Sequence, residues 1–269
     1  MLDRLRGGLG ITICCVVRDC KGWLGFLAEV VSYLDSVGVG VNVVLVEDGS
    51  TDGTDAVACR LLAKFPGILI KLGQNSEFSS LTRTEKLAHL RNVGLEQCLR
   101  LDGDWTMFLD SNIYFRLSIP LEMIGEAAAI GIDGLLTPFT LGSYVRLHTR
   151  QYLAIKRRSY REQHYFDTFA LQLADGTGTF PACPFSNCRK CTEHLVDKRD
   201  MRALRTKSAF GGLGLIETAT LRNTGATWPR QKIGAVCEHI FFCTHLRDSV
   251  PGYGTYILTQ FDAYCDRTT

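Results

Sequence analysis

Two acidic clusters each follow an apolar run, a placement from which side chains could do chemistry. The first is Glu47 and Asp48 in "VVLVEDGSTDGT" (43–54). The second is Asp110 in "TMFLDSN" (106–112), with Asn112 close behind. An acid just outside a buried strand, with another oxygen ligand two residues on, can hold a hard divalent cation such as Mg²⁺ or Mn²⁺. A cation held there would neutralise a diphosphate, a Lewis-acid role in group transfer. Arg91 and Asn92, in "LAHLRNVGL" (87–95), add a planar guanidinium of the kind that meets phosphate or a ribose edge. Each cluster also has a plainer reading. Asp110 could cap a turn, and Arg91 could lie on a solvated helix face.

The elements around these residues decide between the readings. "GITICCVV" (10–17) is a continuous apolar, β-branched run, the mark of a strand buried on both faces. Residues 23–37 follow at helical spacing, 41–46 form a second buried strand, and 52–65 a helix that Thr51 or Asp52 can cap. "GILIKL" (67–72) predicts a third strand, 82–98 a helix, and 106–109 a fourth strand ending on Asp110. This alternation predicts an α/β fold with a doubly wound, mostly parallel sheet flanked by helices. Ligands bind such sheets beyond the carboxyl ends of the strands, which is where Glu47, Asp48 and Asp110 fall.

Bulk properties exclude some function classes. The 269 residues are 46% hydrophobic and 22% charged, as in an ordinary globular protein. A net charge of +2 gives no electrostatic case for nucleic acid. No apolar run is long enough to span a membrane, and the N-terminus reads as a first strand rather than a signal peptide. Eleven cysteines, several inside apolar runs, fit a reducing compartment, so a cytoplasmic location is expected. The alternative is the lumenal catalytic domain of a trimmed, membrane-anchored protein.

"VVLVEDGSTDGT", "LRNVGL" and "TMFLDSN", in this order, resemble the nucleotide-sugar-binding half of the family 2-like glycosyltransferases, which have the GT-A fold. The resemblance covers about residues 10–115. It implies that Asp48 contacts the base or ribose with Glu47 as its neighbour, and that Arg91 lies near the base or diphosphate. It also implies that Asp110 and Asn112 fill the metal positions of the DxD motif, binding Mn²⁺ or Mg²⁺. Asn112 departs from the usual Asp, and an uncharged amide oxygen there should lower metal affinity.

In the second half, "YFDTFAL", "FGGLGLI" and "CEHIFFCTHLR" look similar to motifs of the retaining capsule-type α-mannosyltransferases of fungi. That similarity implies Asp167 on the acceptor side, and Gly211 and Gly212 where the backbone approaches the donor sugar closely. It implies Glu238 as a late acid, with His239 or His245 completing the metal site. Asp167 and Glu238 are then the candidates for taking the acceptor's proton or stabilising the sugar cation. The whole chain, 1–269, is expected to be one glycosyltransferase domain, with 116–269 the acceptor-side half. The donor would be GDP-mannose or a UDP-sugar, and the acceptor a glycan, a glycoprotein or another hydroxyl.

Two motifs stand apart. Cys183, Cys188, Cys191 and His194 could hold a structural Zn²⁺, although a disulfide or free thiols fit as well. The basic stretch 146–161 could grip an anionic acceptor or touch a membrane surface peripherally, but such runs are commonly solvated faces. Two other functions compete. A nucleotidyltransferase would want a Gly-rich phosphate loop after the first strand, where this chain has "RDCKGWLGFLAEV". A non-catalytic nucleotide-sugar or carbohydrate-binding module would keep the crevice and lose the chemistry.

Overall fold

β1 (Gly10–Val17) and β2 (Gly40–Glu47) are the two apolar runs, paired in parallel from Gly10 opposite Gly40 to Val17 opposite Glu47. The computed structural model describes residues 8–72, 80–143, 165, 167, 169–175, 200–229 and 236–266. β3 (Gly67–Lys71) joins the outer side of β2, and β4 (Trp105–Leu109) joins the other side of β1, both in parallel. Between them run α1 (Trp23–Ser36), α2 (Thr54–Leu62) and α3 (Arg83–Cys98). The order β3-β2-β1-β4 is the doubly wound arrangement that the alternation predicts.

The second half extends the same sheet. β5 (Ile113–Phe115), α4 (Ile119–Ile130), β6 (Gly134–Ser143), β7 (Gln172–Leu173), β8 (Leu204–Ser208) and β9 (Leu213–Glu217) follow. They are succeeded by α5 (Thr218–Thr224), α6 (Glu238–Ser249) and β10 (Gly254–Asp266). The ten strands run β3-β2-β1-β4-β9-β6-β10-β8-β7, with β5 paired to β10. β9 is antiparallel to both β4 and β6, while β6 and β10 are parallel. The sheet is therefore parallel on one side and mixed on the other.

Alternation along the central strands builds two cores. Ile11, Ile13, Cys15 and Val17 face one layer with Leu24, Leu27 and Val31 of α1 and Met123 of α4. Cys14, Val44 and Phe108 face the other, against Ala88, Leu95 and Cys98 of α3 and Phe242 and Leu246 of α6. The motif glycine Gly94 is needed on this second face. A Cβ there would lie 2.5 Å from the Cys14 sulfur and 3.2 Å from Val46 Cγ2. α3 can thus lie close on β1 and β2, bringing Arg91 to the sheet edge. The helix begins at Thr82, whose hydroxyl accepts from the Glu85 amide while Glu85 accepts from the Thr82 amide. That reciprocal pair is a capping box.

Some boundaries differ from expectation. α2 starts at Thr54, after Gly53 with φ +88°, rather than at Asp52. Asp52 instead accepts from the Thr54 amide and hydroxyl, which closes the turn locally. β6 runs from Gly134 to Ser143, and β10 pairs along its whole length.

Candidate active site

The acid-rich turn after β2 is stapled to the loop after β1. Asp19 Oδ1 accepts from the Thr51 amide at 2.7 Å, and the Asp19 amide donates to Ser50 Oγ at 3.0 Å. The Cys20 amide donates to Thr54 Oγ1 at 2.8 Å, and the Lys21 amide to Asp52 Oδ2 at 3.2 Å. Asp19 holds φ +46°, the left-handed region that Asp enters more readily than most residues. The hydroxyls and acids of "GSTDGT" are therefore largely occupied in building one rigid rim. Glu47 belongs to that framework. Its Oε1 accepts from the Ser50 amide, and it is absent from the cleft lining, so it shapes the turn rather than facing a ligand.

Asp48 does face the cleft. Its amide continues the β1–β2 ladder to the Val17 carbonyl at 3.1 Å, which fixes where its side chain emerges. Lys86 Nζ lies 2.8 Å from Asp48 Oδ1, and Arg18 Nη1 lies 3.3 Å from Oδ2. Both cations also line the cleft.

At the end of β4, Asp110 meets Arg91. Arg91 Nη2 is 3.0 Å from Asp110 Oδ1, and its Nη1 pairs with Glu238 Oε1 at the start of α6. Burial works against the Arg91 charge, but Asp110 and Glu238 outweigh it and raise the guanidinium above its ordinary value. The Arg91 guanidinium also sits 5.3 Å from the Phe210 ring centre, a cation–π contact. Asn92 clamps the segment before α6. Its amide nitrogen donates to the Trp228 carbonyl at 3.0 Å, and its oxygen accepts from the Trp228 amide at 2.9 Å.

The paired glycines between β8 and β9 act through the acids. Gly211 and Gly212 have φ of +62° and +76°. A Cβ on Gly211 would come within 2.4 Å of Thr140 Oγ1, and one on Gly212 within 2.4 Å of Ile113 Cγ1. The Gly212 carbonyl accepts from the Asp110 amide at 2.8 Å, and the Gly211 amide donates to Asp167 Oδ2 at 2.9 Å. The neighbours they admit are thus Thr140 and Ile113, and their backbone orients both acids.

Asp167 lines the cleft, half-buried. Desolvation pushes its carboxyl up to about 6, aided by the charges of Asp110 and Glu238, against the lowering effect of the Gly211 and Ala170 amides. Glu238 lines the cleft too, but is committed to Arg91.

The two histidines expected at the metal behave differently. His239 is buried, stacked on Phe210 at 3.8 Å, and its Nδ1 accepts from Trp228 Nε1 at 3.3 Å. Burial and the Arg91 charge hold it well below the usual histidine value, so it is neutral. With Nδ1 accepting, Nε2 carries the proton and is a donor, not a ligand atom. Among the described residues Nε2 has no hydrogen-bond partner. His245 is exposed, absent from the cleft lining, and bonded to the Thr224 carbonyl at 3.3 Å. Neither histidine is arranged to ligate a metal beside Asp110. Cys183, Cys188, Cys191 and His194 lie outside the described residues, as does the basic stretch 146–161.

Asp110 and Asn112 remain as ligand candidates. Asn112 directs its amide nitrogen to Cys265 Sγ at 3.3 Å and the Asp266 carbonyl at 3.4 Å, which leaves Oδ1 as its ligating atom. Among the described residues no group of three or more His, Cys, Asp or Glu is placed to hold a metal by itself. One carboxylate and one amide oxygen suit Mg²⁺ or Mn²⁺ that arrives with a diphosphate and keeps several waters. The donor set fits such an ion.

Asp48, Arg91, Asp110, Asn112, Asp167 and Glu238 line one cleft of about 1240 Å³. It runs from Arg18, Asp48 and Lys86 on one side, past Arg91 and Asp110, to Asp167 and Glu238 on the other. Arg18, Lys86 and Phe210 escaped sequence reasoning. A lone basic residue after β1 or on a helix gives no signal until the fold brings it to Asp48. Phe210 stands directly before the glycine pair, which was the only cue.

No family model matches the sequence, and no curated protein matches it. The comparison of structures is informative. S. aureus TarS, solved in complex with UDP-GlcNAc, is similar over 97% of this chain and 59% of its own, with a TM-score of 0.55 and 15% identity. The mannosyltransferase PcManGT from Pyrobaculum calidifontis, solved with GDP-Man and Mn²⁺, is similar over 94% of this chain and 56% of its own, with a TM-score of 0.51 and 13% identity. A mycobacterial protein is similar over 100% of this chain and 71% of its own, with a TM-score of 0.51 and 15% identity. The chain spans 36% to 60% of the TarS chains it matches. At this identity the likeness speaks to architecture, and that architecture is the GT-A fold of nucleotide-sugar glycosyltransferases.

Proposed function

We propose that the chain is a glycosyltransferase that moves a sugar from a nucleoside-diphosphate donor to a hydroxyl acceptor, a glycan or a glycoprotein among them. The observation that carries this reading is the convergence of Asp48, Arg91, Asp110 and Asp167 on one cleft at the carboxyl edge of β1, β2 and β4. Solved proteins of the same fold bind UDP-GlcNAc in one case and GDP-Man with Mn²⁺ in another, which supports a donor of this class here.

In the reaction, the bond between the sugar's C1 and the diphosphate oxygen breaks, and the acceptor oxygen bonds to C1. Asp48 binds the nucleoside end. Arg91, fixed by Glu238 below and Phe210 beside it, presents a localised positive charge where the leaving diphosphate gains negative charge. Asp110 and Asn112 would hold Mn²⁺ or Mg²⁺, which when bound supplies further neutralisation of the diphosphate. Asp167 takes the acceptor's proton. It is preferred to Glu238 because Glu238 is ion-paired with Arg91. The two halves act as one catalytic unit, since β9, β6 and β10 complete the sheet that carries the donor site. Among the described residues no helix is long and apolar enough to cross a membrane. A cytoplasmic location remains our reading of the cysteine pattern.

The ion pair between Arg91 and Asp110 favours a second reading, a non-catalytic nucleotide-sugar-binding module, because it competes with metal at Asp110. Thermal-shift titration with nucleoside diphosphates and their sugars, with and without Mn²⁺, tests the shared donor site. A saturable stabilisation that Mn²⁺ enhances is expected. No shift with any of them would remove the reading.

A further inference from the structure

We propose that His239 is a reserve partner for Glu238: when Arg91 turns from its two acids to a bound diphosphate, the Glu238 carboxylate passes to the His239 Nε2–H. His239 is then a positioning residue, acting on the diphosphate through Glu238 and Arg91. This rests on the donor-site reading above and adds the movement by which Arg91 reaches the diphosphate.

The observation behind it is a buried donor with nothing to donate to. His239 is 3% exposed, and among the described residues its Nε2 has no hydrogen-bond partner. An orphan of this kind carries the desolvation penalty of an unmade bond, so its presence calls for a use elsewhere in the cycle. The ring is held ready. Trp228 Nε1 donates to Nδ1 at 3.3 Å, which keeps the proton on Nε2. Phe210 stacks on the imidazole with ring centres 3.8 Å apart and planes 16° apart. The acceptor facing Nε2 is Glu238 Oε1 at 3.8 Å, beyond hydrogen-bond reach. A movement of about 1 Å would close that gap to bonding distance.

The same Glu238 oxygen accepts from Arg91 Nη1, while Arg91 Nη2 lies 3.0 Å from Asp110 Oδ1. An Asp110 oxygen given to a cation is not free for Arg91. The guanidinium is a rigid plane, so turning Nη2 away from Asp110 also displaces Nη1 from Glu238. A carboxylate as buried as Glu238 would make that release costly if it were left alone. Three features lower the cost. Glu238 opens α6, where the free amides of the first turn favour an anion. The Cys237 thiol donates to its Oε2 at 3.7 Å. His239 supplies the third, a fixed ring N–H for Oε1. Arg91, Glu238 and His239 all line the cleft, so the exchange takes place where a donor would lie. It moves a hydrogen bond and no proton.

The first test reads the His239 Hε2 proton by NMR, on the whole chain carrying isotope-labelled histidine, during titration with UDP and with GDP in the presence of Mg²⁺. The His239→Gln spectrum identifies the signal. With the nucleotide that binds, Hε2 should move downfield and saturate together with binding, as a new bond to a carboxylate requires. Binding without that shift overturns the proposal and leaves the donor site standing. Failure of both nucleotides to bind removes the donor-site reading as well.

A second test separates the N–H from the ring, since His239→Asn and His239→Gln both lose the stacking on Phe210. Asn keeps an acceptor for Trp228 Nε1 but does not reach Glu238, whereas Gln puts an amide N–H near the place of Nε2. By calorimetry His239→Asn should bind the nucleotide at least about tenfold more weakly than wild type, and His239→Gln within about threefold of it. A role confined to packing would weaken the two variants alike, and that result also overturns the proposal.

Discussion

At the scale of single residues the site is a balance between one buried cation and the acids it holds. Arg91 pairs with Glu238 and Asp110 at once. Removing it strands carboxylates, so Arg91→Met should destabilise the fold by about 3–5 kcal/mol in urea unfolding. Adding Glu238→Gln to that variant should recover a substantial part, as a double-mutant cycle would report. Asp167 gives a pH prediction. Its carboxyl is raised to about 6 in the folded protein, above its ordinary 3.8, so the folded state holds that proton more tightly than the unfolded state does. The resulting stabilisation is full below about pH 3.8 and is lost as pH rises through about 6. Asp167→Asn should therefore gain on wild type between pH 4.5 and 7.5, by on the order of 2 kcal/mol in urea unfolding. If Asp167 is the base, kcat/KM in wild type should also fall below about pH 6.

At the scale of elements, each motif combines a candidate site residue with the ones that aim it. "LRNVGL" holds Arg91 for the acids, Asn92 for the Trp228 backbone and Gly94 for contact with β1. Gly94→Ala tests the last of these. Ala gains about 1 kcal/mol in helix propensity, but its Cβ would lie 2.5 Å from the Cys14 sulfur. Overpacking of that kind costs about 1–3 kcal/mol, so a net loss is expected. Cys14→Ala in the same chain should restore most of it, as denaturant midpoints would show. The first four strands, α1 and α3 were legible because apolar runs and helical spacing mark them directly. So were Asp48 and Asp110, which end strands. Glu47 was legible in place but not in role, since only the fold reveals that it accepts from Ser50. His239 and His245 could not be sorted by sequence, because Trp228 decides one and the outward face of α6 decides the other.

At the scale of the molecule, a sheet that is parallel on one side and mixed on the other places the proposed donor-binding edge beside a second acidic wall. β9, running against β4, carries the Gly211–Gly212 turn back to Asp110 and so couples the halves. Nothing in the spacing of "FGGLGLI" announces that partner, because strand pairing is a long-range property. The same scale governs metal binding. With one carboxylate and one amide oxygen as ligands, Mn²⁺ should bind the ligand-free protein weakly and at least about tenfold tighter once a nucleoside diphosphate is present. Calorimetric titration of Mn²⁺ in both states measures this. Equal affinities would mean that the ion does not share its site with the diphosphate.

The most direct test of the central claim is release of nucleoside diphosphate from nucleotide sugars in the presence of Mn²⁺, comparing wild type with Asp110→Ala and including simple hydroxyl acceptors. The account predicts release from one donor that requires the metal and falls at least about a hundredfold in Asp110→Ala. Donor binding with no release under any acceptor condition, or release indifferent to Asp110→Ala, would contradict it.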